Sequence, residues 1–172
     1  MEADLNIEIA QLNFTVGDCE GNSKKILEFV RNSHNKTDLI IFSELAVSGY
    51  PPEDLLLNDA FIKLQDSKIQ EIARLTKDSN KHILLGAVHK EKDKIYNAAL
   101  LLAGGKIQSI VKKNILPNYA VFDEMRYFAA GDEVGIITIK SKKYAVLICE
   151  DLWDQEFINK LQAYHDLEAV FV

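Results

Sequence analysis

His82-Ile83-Leu84-Leu85-Gly86-Ala87-Val88-His89, Ile95-Tyr96-Asn97-Ala98-Ala99-Leu100-Leu101-Leu102-Ala103 and Ile107-Gln108-Ser109-Ile110-Val111-Lys112 are three largely apolar runs in close succession. Polar Glu91-Lys92-Asp93-Lys94 fills the first gap, and Gly104-Gly105-Lys106 the second. Gaps this short cannot hold a crossover helix, so each strand has to turn back on the one before it. The stretch therefore predicts an antiparallel meander. Upstream, Leu5 to Phe14 alternates around Ile7, Ile9 and Leu12 and reads as a strand. Gly21-Asn22-Ser23 supplies a turn and an N-cap, after which Ile26, Leu27 and Val30 recur at helical spacing. Asp38 to Phe42 has the continuous apolar character of a strand buried on both faces. Asp59 to Ser79 carries Phe61, Leu64, Ile72 and Leu75 on one helical stripe. Downstream, Asn114 to Val134 lacks a period and reads as a long ordered loop. Lys143 to Cys149 reads as a strand, Gln155 to Tyr164 as a helix, and Leu167 to Val172 as the start of another buried strand. Two strand–helix units, a meander and a strand–helix–strand unit predict a layered α/β fold with a mixed sheet.

Composition narrows the function classes. The 172 residues suit one domain, and neither a repeat nor a Gly/Ser/Pro-rich linker divides them. Hydrophobic residues make up 48% and charged residues 27%, ordinary values for a globular chain. No apolar run approaches the roughly 20 residues of a membrane helix. Met1-Glu2-Ala3-Asp4 lacks the basic start of a secretion signal. A net charge of −6 argues against binding a phosphate backbone. Two cysteines argue against a disulfide framework and for a reducing, cytoplasmic setting. His34, His82, His89 and His165 show no metal-ligand spacing, so no metal is expected.

Chemistry is expected where buried strands end in ionisable side chains. Leu39-Ile40-Ile41-Phe42-Ser43 runs into Glu44, and Tyr144-Ala145-Val146-Leu147-Ile148 runs into Cys149, Glu150 and Asp151. In open α/β sheets, ligands gather beyond the carboxyl ends of strands, so both side chains could share a crevice. Spacing alone leaves simpler alternatives: Glu44 as a loop carboxylate, Cys149 as a small core residue, Lys113 as a solvated charge beside Lys112. Cys19 reads as a structural or exposed thiol, and Trp153 as packing behind the Cys149 turn.

Three motifs in order shift this balance. Glu44 lies in Phe42-Ser43-Glu44-Leu45-Ala46-Val47-Ser48-Gly49-Tyr50-Pro51-Pro52-Glu53-Asp54-Leu55; Lys113 precedes Leu116-Pro117-Asn118-Tyr119; and Cys149 opens Cys149-Glu150-Asp151-Leu152-Trp153. Together they resemble the Glu–Lys–Cys triad of the nitrilase (carbon–nitrogen hydrolase) superfamily. The flanking residues are similar to those of the N-terminal glutaminase domains of the glutamine-dependent NAD synthetases. Ala120 stands where that family usually carries glycine.

The resemblance runs from about Ile7 to the last residue. It implies a nitrilase-like α-β-β-α sandwich with mixed sheets, incomplete at the C-terminus: residues 1–172 would be part of a glutaminase domain, with the synthetase domain absent from this chain. It implies Cys149 as nucleophile, Glu44 as general base and Lys113 as oxyanion-stabilising cation. It also implies Tyr119 in the L-glutamine pocket and Glu124 as a supporting carboxylate, with further glutamine contacts beyond Val172. No cofactor is implied here; ATP and Mg would serve the synthetase domain. A homo-oligomer is implied as well. Two other readings stay open: a free-standing amidase for another small amide, and a catalytically silent α/β module that packs on partners.

Overall fold

Alternation along the strands decides the layers. In β2 (Leu39–Phe42), Ile40 and Phe42 enter one core while Leu39 enters another. In β3 (His82–Glu91), Ile83, Leu85 and Ala87 share the first core and Leu84 the second. In β4 (Lys94–Ala103), Ala98, Leu100 and Leu102 take the first, and Ala99 and Leu101 the second. A sheet apolar on both faces needs a cover on each. One cover is the pair α1 (Cys19–Asn32) and α2 (Asp59–Arg74), which brings Ile26, Val30, Ile69 and Ile72 to the first core. The other is a second sheet, which brings Ile137, Ile139, Tyr144 and Val146. Each such aliphatic side chain, fully buried, contributes about 1.5–3 kcal/mol.

The structure is a computed structural model describing residues 4–172; Met1, Glu2 and Ala3, used above in reading the chain start, lie outside the described residues. The larger sheet has the order β1 (Ile7–Ala10), β2, β3, β4, β5 (Lys106–Lys112). β1, β2 and β3 are parallel; β4 and β5 each turn back. Carboxyl ends of β2, β3 and β5 therefore lie at one end of the sheet. The smaller sheet has the order β6 (Gly135–Ile139), β7 (Lys142–Val146), β8 (Leu167–Phe171). β6 is antiparallel to β7, and β7 is parallel to β8 through the crossover helix α3 (Gln155–Leu161). This is the expected layered α/β architecture with mixed sheets. Among the described residues, no helix is long and apolar enough to cross a membrane.

The meander forms as read. Gly104 and Gly105 close its second turn at φ 59° and 82°, the paired positive values of a tight hairpin that glycine adopts without penalty. Three local expectations need correction, and one strand was not expected. The first strand is only Ile7–Ala10, because Gln11 to Val16 leads away to α1. Gly21-Asn22-Ser23 lies inside α1; the cap is Asp18, whose carboxylate accepts from Gly21 N at 2.8 Å. Asn22 is buried and donates to Thr15 O and Val47 O. Gly135–Ile139, to which the sequence reading assigned no element, is a strand. The strand expected to reach Cys149 stops at Val146, so the cysteine sits on a turn of its own.

One glycine sets the position of Glu44. A Cβ on Gly86 would lie 2.2 Å from Ser43 O, 2.6 Å from Leu45 N and 2.7 Å from Glu44 Cα. These neighbours are backbone and cannot rotate away. Gly86→Ala is expected to cost about 1–3 kcal/mol by overpacking. It should also push Glu44 off its partners, so thermal unfolding and any activity should fall together; unchanged melting would contradict the close approach.

Candidate active site

The carboxyl ends of three strands deliver the site. Glu44 follows β2 by two residues, Lys113 directly follows β5, and Cys149 follows β7 by three. Lys113 is fully buried, 0% exposed, at the end of a charged strand. Its backbone is pinned on both sides: Lys113 N donates to Asn97 O, and Gly131 N donates to Lys113 O, each at 2.8 Å. Its ammonium donates to Glu44 Oε1 and to Glu124 Oε1, both at 2.8 Å. An ammonium out of water needs such partners, since an unpaired buried charge costs several kcal/mol. Burial opposes its charge, but Glu44 and Glu124 outweigh burial and hold its pKa above the ordinary lysine range.

Two residues to which the sequence reading gave no role complete the network: Asn97, and Tyr50 of the first motif. Asn97 on β4 donates from Nδ2 to Glu44 Oε1 at 2.6 Å, and Tyr50 donates from its hydroxyl to Glu124 Oε1 at 2.9 Å. Both donors to Glu44 use Oε1, so Oε2 has no protein donor among the described residues. Glu124 lies in a short 3-10 turn within the long loop and is 5% exposed. Burial pushes its carboxyl up, against the pull of Lys113. Its Oε2 is buried without a hydrogen-bond partner among the described residues.

Cys149 opens a 3-10 turn, Cys149–Leu152, with φ 48°. A non-glycine residue in this left-handed region stores strain of order 1–3 kcal/mol, and such residues concentrate at functional sites. The same local sequence places its thiol outside the sheet, so Cys149 is exposed, unlike a core cysteine. It lines a cavity of about 340 Å³ together with Ser43, Glu44 and Gly86; other lining residues, including Leu84 and Phe171, are apolar. Burial first, then the Glu44 carboxylate, push the thiol above its ordinary value, while Lys113 pulls it down. The thiol therefore holds its proton at neutral pH, and a nucleophilic role requires a base beside it. Glu44 lines the same cavity, and its charge acts on the thiol.

The remaining expected residues are placed as follows. Tyr119 is 56% exposed, donates to Glu150 at 3.0 Å and packs edge-on against Phe122. It thus ties the long loop to the residue after Cys149. Ala120 has φ 52°, a conformation glycine adopts more cheaply. Trp153 is 77% exposed and does not pack behind the turn: the turn ends at Leu152 and leaves the ring in solvent. Cys19 is a buried thiol on α1, pushed up to about 11 by burial. Among the described residues, no group of three or more His, Cys, Asp or Glu is placed to hold a metal ion.

Comparison with known proteins adds an independent line. The carbon–nitrogen hydrolase family model matches residues 7–165. The chain is 41% identical to a glutamine-dependent NAD(+) synthetase of Aquifex aeolicus over 166 residues, 96% of this chain and 29% of that protein. It is 42% identical to the Thermotoga maritima enzyme of the same name over 151 residues, 87% of this chain and 26% of that protein. In three dimensions it superposes on a glutamine-dependent NAD+ synthetase from Acinetobacter baumannii with a TM-score of 0.84 and 32% identity, covering 95% of this chain and 31% of that one. A nitrilase-superfamily amidase from Nesterenkonia shares the fold, with a TM-score of 0.81 at 17% identity, covering 99% of this chain and 66% of that one. The chain spans less than a third of the length of the synthetases it matches.

Proposed function

The chain belongs to the carbon–nitrogen hydrolase family, and on that premise we propose that it is the glutaminase part of a glutamine-dependent NAD synthetase, cleaving the side-chain amide of L-glutamine through a thioester on Cys149. The observation that carries this reading is the buried ammonium of Lys113 held between two carboxylates beside an exposed thiol on a strained turn. Identity to two such synthetases across most of the chain supports glutamine as the amide.

Each step has a group to perform it. Glu44 takes the thiol proton as Cys149 sulfur attacks the amide carbon. The oxygen gains negative charge, which Lys113 and the backbone N–H after Cys149 stabilise. Glu44 returns the proton to the leaving nitrogen, and ammonia departs. Water, deprotonated by Glu44, then attacks the thioester; glutamate leaves and the thiol is restored. Side chains and backbone fill every role, so the cleavage calls for no cofactor. Lys113 loses nothing to reorganisation, because its two carboxylates have already fixed it. Tyr119 is proposed to meet the glutamine, and Glu124 to hold Lys113. The ammonia would serve a synthetase domain, where ATP and Mg are used.

The apolar walls of the cavity also suit a simple aliphatic amide, and one assay separates the two substrates. Ammonia release should be fastest with L-glutamine across a panel that includes asparagine, propionamide and butyramide. Equal or faster turnover of any other amide would overturn glutamine as the substrate.

A further inference from the structure

Asp151 lies two residues beyond Cys149, is 0% exposed, and is not one of the three residues that perform the chemistry. Its carboxylate accepts three backbone N–H groups from two separate segments. Oδ1 accepts from Asn114 N at 2.9 Å and Ile115 N at 2.8 Å; Oδ2 accepts from Ile148 N at 3.0 Å. Ile148 precedes the nucleophile, and Asn114 and Ile115 follow the cation. The turn closes a second time on the same residue, because Asp151 N donates to Ile148 O at 3.2 Å.

A carboxylate is the one short side chain that suits this place. It accepts on both oxygens and donates nothing, which matches three donors. Asparagine at the same position offers one acceptor oxygen and sets an NH₂ against backbone N–H. A carboxylate buried without such donors would not stay ionised. The two joined segments share no strand pairing, since β5 and β7 belong to different sheets.

We propose that Asp151 is a positioning residue, whose carboxylate straps the Cys149 turn to the backbone following Lys113 and so sets the separation between the attacking sulfur and the cation that meets the oxyanion. The proposal rests on the roles given to Cys149 and Lys113, and not on glutamine as the substrate.

The test reads the pH dependence of Cys149 alkylation by iodoacetamide in Asp151→Asn, followed on the Cys149 peptide by mass spectrometry. It needs no amide substrate, so its outcome is independent of the substrate reading. The charges acting on the thiol are Glu44, Glu124 and Glu150, which raise its titration, and Lys113, which lowers it. A slack strap lets Lys113 recede, and the alkylation midpoint should rise by a few tenths of a unit or more. Loss of the negative charge of Asp151 would by itself lower the midpoint, and so would a turn merely opening to solvent. A rise therefore separates positioning from both simpler effects. Amide turnover should fall on the order of tenfold or more in kcat, with KM little changed. A lowered or unmoved midpoint overturns the proposal. If Asp151→Asn does not fold by circular dichroism, Asp151→Glu, which keeps the charge and displaces the acceptors, is read in the same way. Failure of both variants to fold would make Asp151 a folding residue only and equally overturn the proposal.

Discussion

Cys149→Ala is expected to abolish ammonia release from glutamine, by about 10⁴-fold or more, while thermal unfolding stays close to that of the parent chain. The two halves of this expectation have separate causes. Activity goes because no other group at the site can form the thioester: the only other cysteine, Cys19, is buried on α1 with its thiol pushed up to about 11. Stability stays because Cys149 is exposed and its sulfur fills no core space. Alanine also tolerates the φ of 48° at this turn about as well as cysteine does. The check is a coupled ammonia assay beside a melting curve. A glutamine-mimicking electrophile supplies a second readout: it should mark Cys149 and spare Cys19. Full activity in the variant would remove the thioester mechanism. A folded parent chain that neither reacts with the electrophile nor releases ammonia would support the silent module.

Much of the fold was legible because its signals are local. The meander announces itself through three apolar runs and two short polar gaps, and α2 through Phe61 and Ile72 at helical spacing, although Leu64 of the expected stripe is exposed and Leu75 follows the helix. β6 escaped because Gly135-Ile136-Ile137-Thr138-Ile139 is a short apolar run that opens on glycine, between the long loop and the polar Lys140-Ser141-Lys142-Lys143. Gly21-Asn22-Ser23 misled because its residues favour turns, while tertiary bonds from Asn22 to Thr15 O and Val47 O hold it within a helix. Trp153 misled because a large aromatic is usually covered, and here the turn that carries it ends at the surface.

The site divides in another way. Glu44 and Cys149 were visible as ionisable ends of buried strands. Lys113 was not distinguishable from Lys112 by any local pattern, and only the motif resemblance singled it out. The structure separates the two lysines sharply: Lys112 reaches Glu91 at the surface, whereas Lys113 turns inward to Glu44 and Glu124. The contacts of Asn97 and Tyr50 went unread because their partners stand 53 and 74 residues away. No period or spacing encodes a contact of that range; it exists only once β2, β4 and the long loop have been brought to one end of the sheet.

Lys113→Met is the second large expectation, and it concerns stability as much as catalysis. Methionine keeps the length and apolar stem of lysine but removes the one cation between Glu44 and Glu124. Breaking a buried charge network in this way costs about 3–5 kcal/mol, because the remaining charges lose their compensation. Ammonia release should vanish too, since the oxyanion loses its charged partner. The defect should depend on pH with a definite sign. Without Lys113, the buried Glu124 carboxyl, raised by burial and by the neighbouring Glu44 charge, loses the cation that pulls it down, so its folded pKa rises further above the unfolded one. The folded state then binds more protons than the unfolded state, and stability falls as pH rises through that folded value. Urea unfolding of Lys113→Met should therefore show its greatest loss at about pH 8 and a partial recovery at about pH 5. The parent chain, in which Lys113 opposes the effect of burial on Glu124, should show a smaller recovery. Adding Glu124→Gln should restore part of the loss at the higher pH, because one buried charge goes while Tyr50 keeps an acceptor at the amide oxygen. It should restore no activity. Parent-like stability for Lys113→Met at the higher pH would mean that the network is not ionised, and the oxyanion role of Lys113 would fall with it.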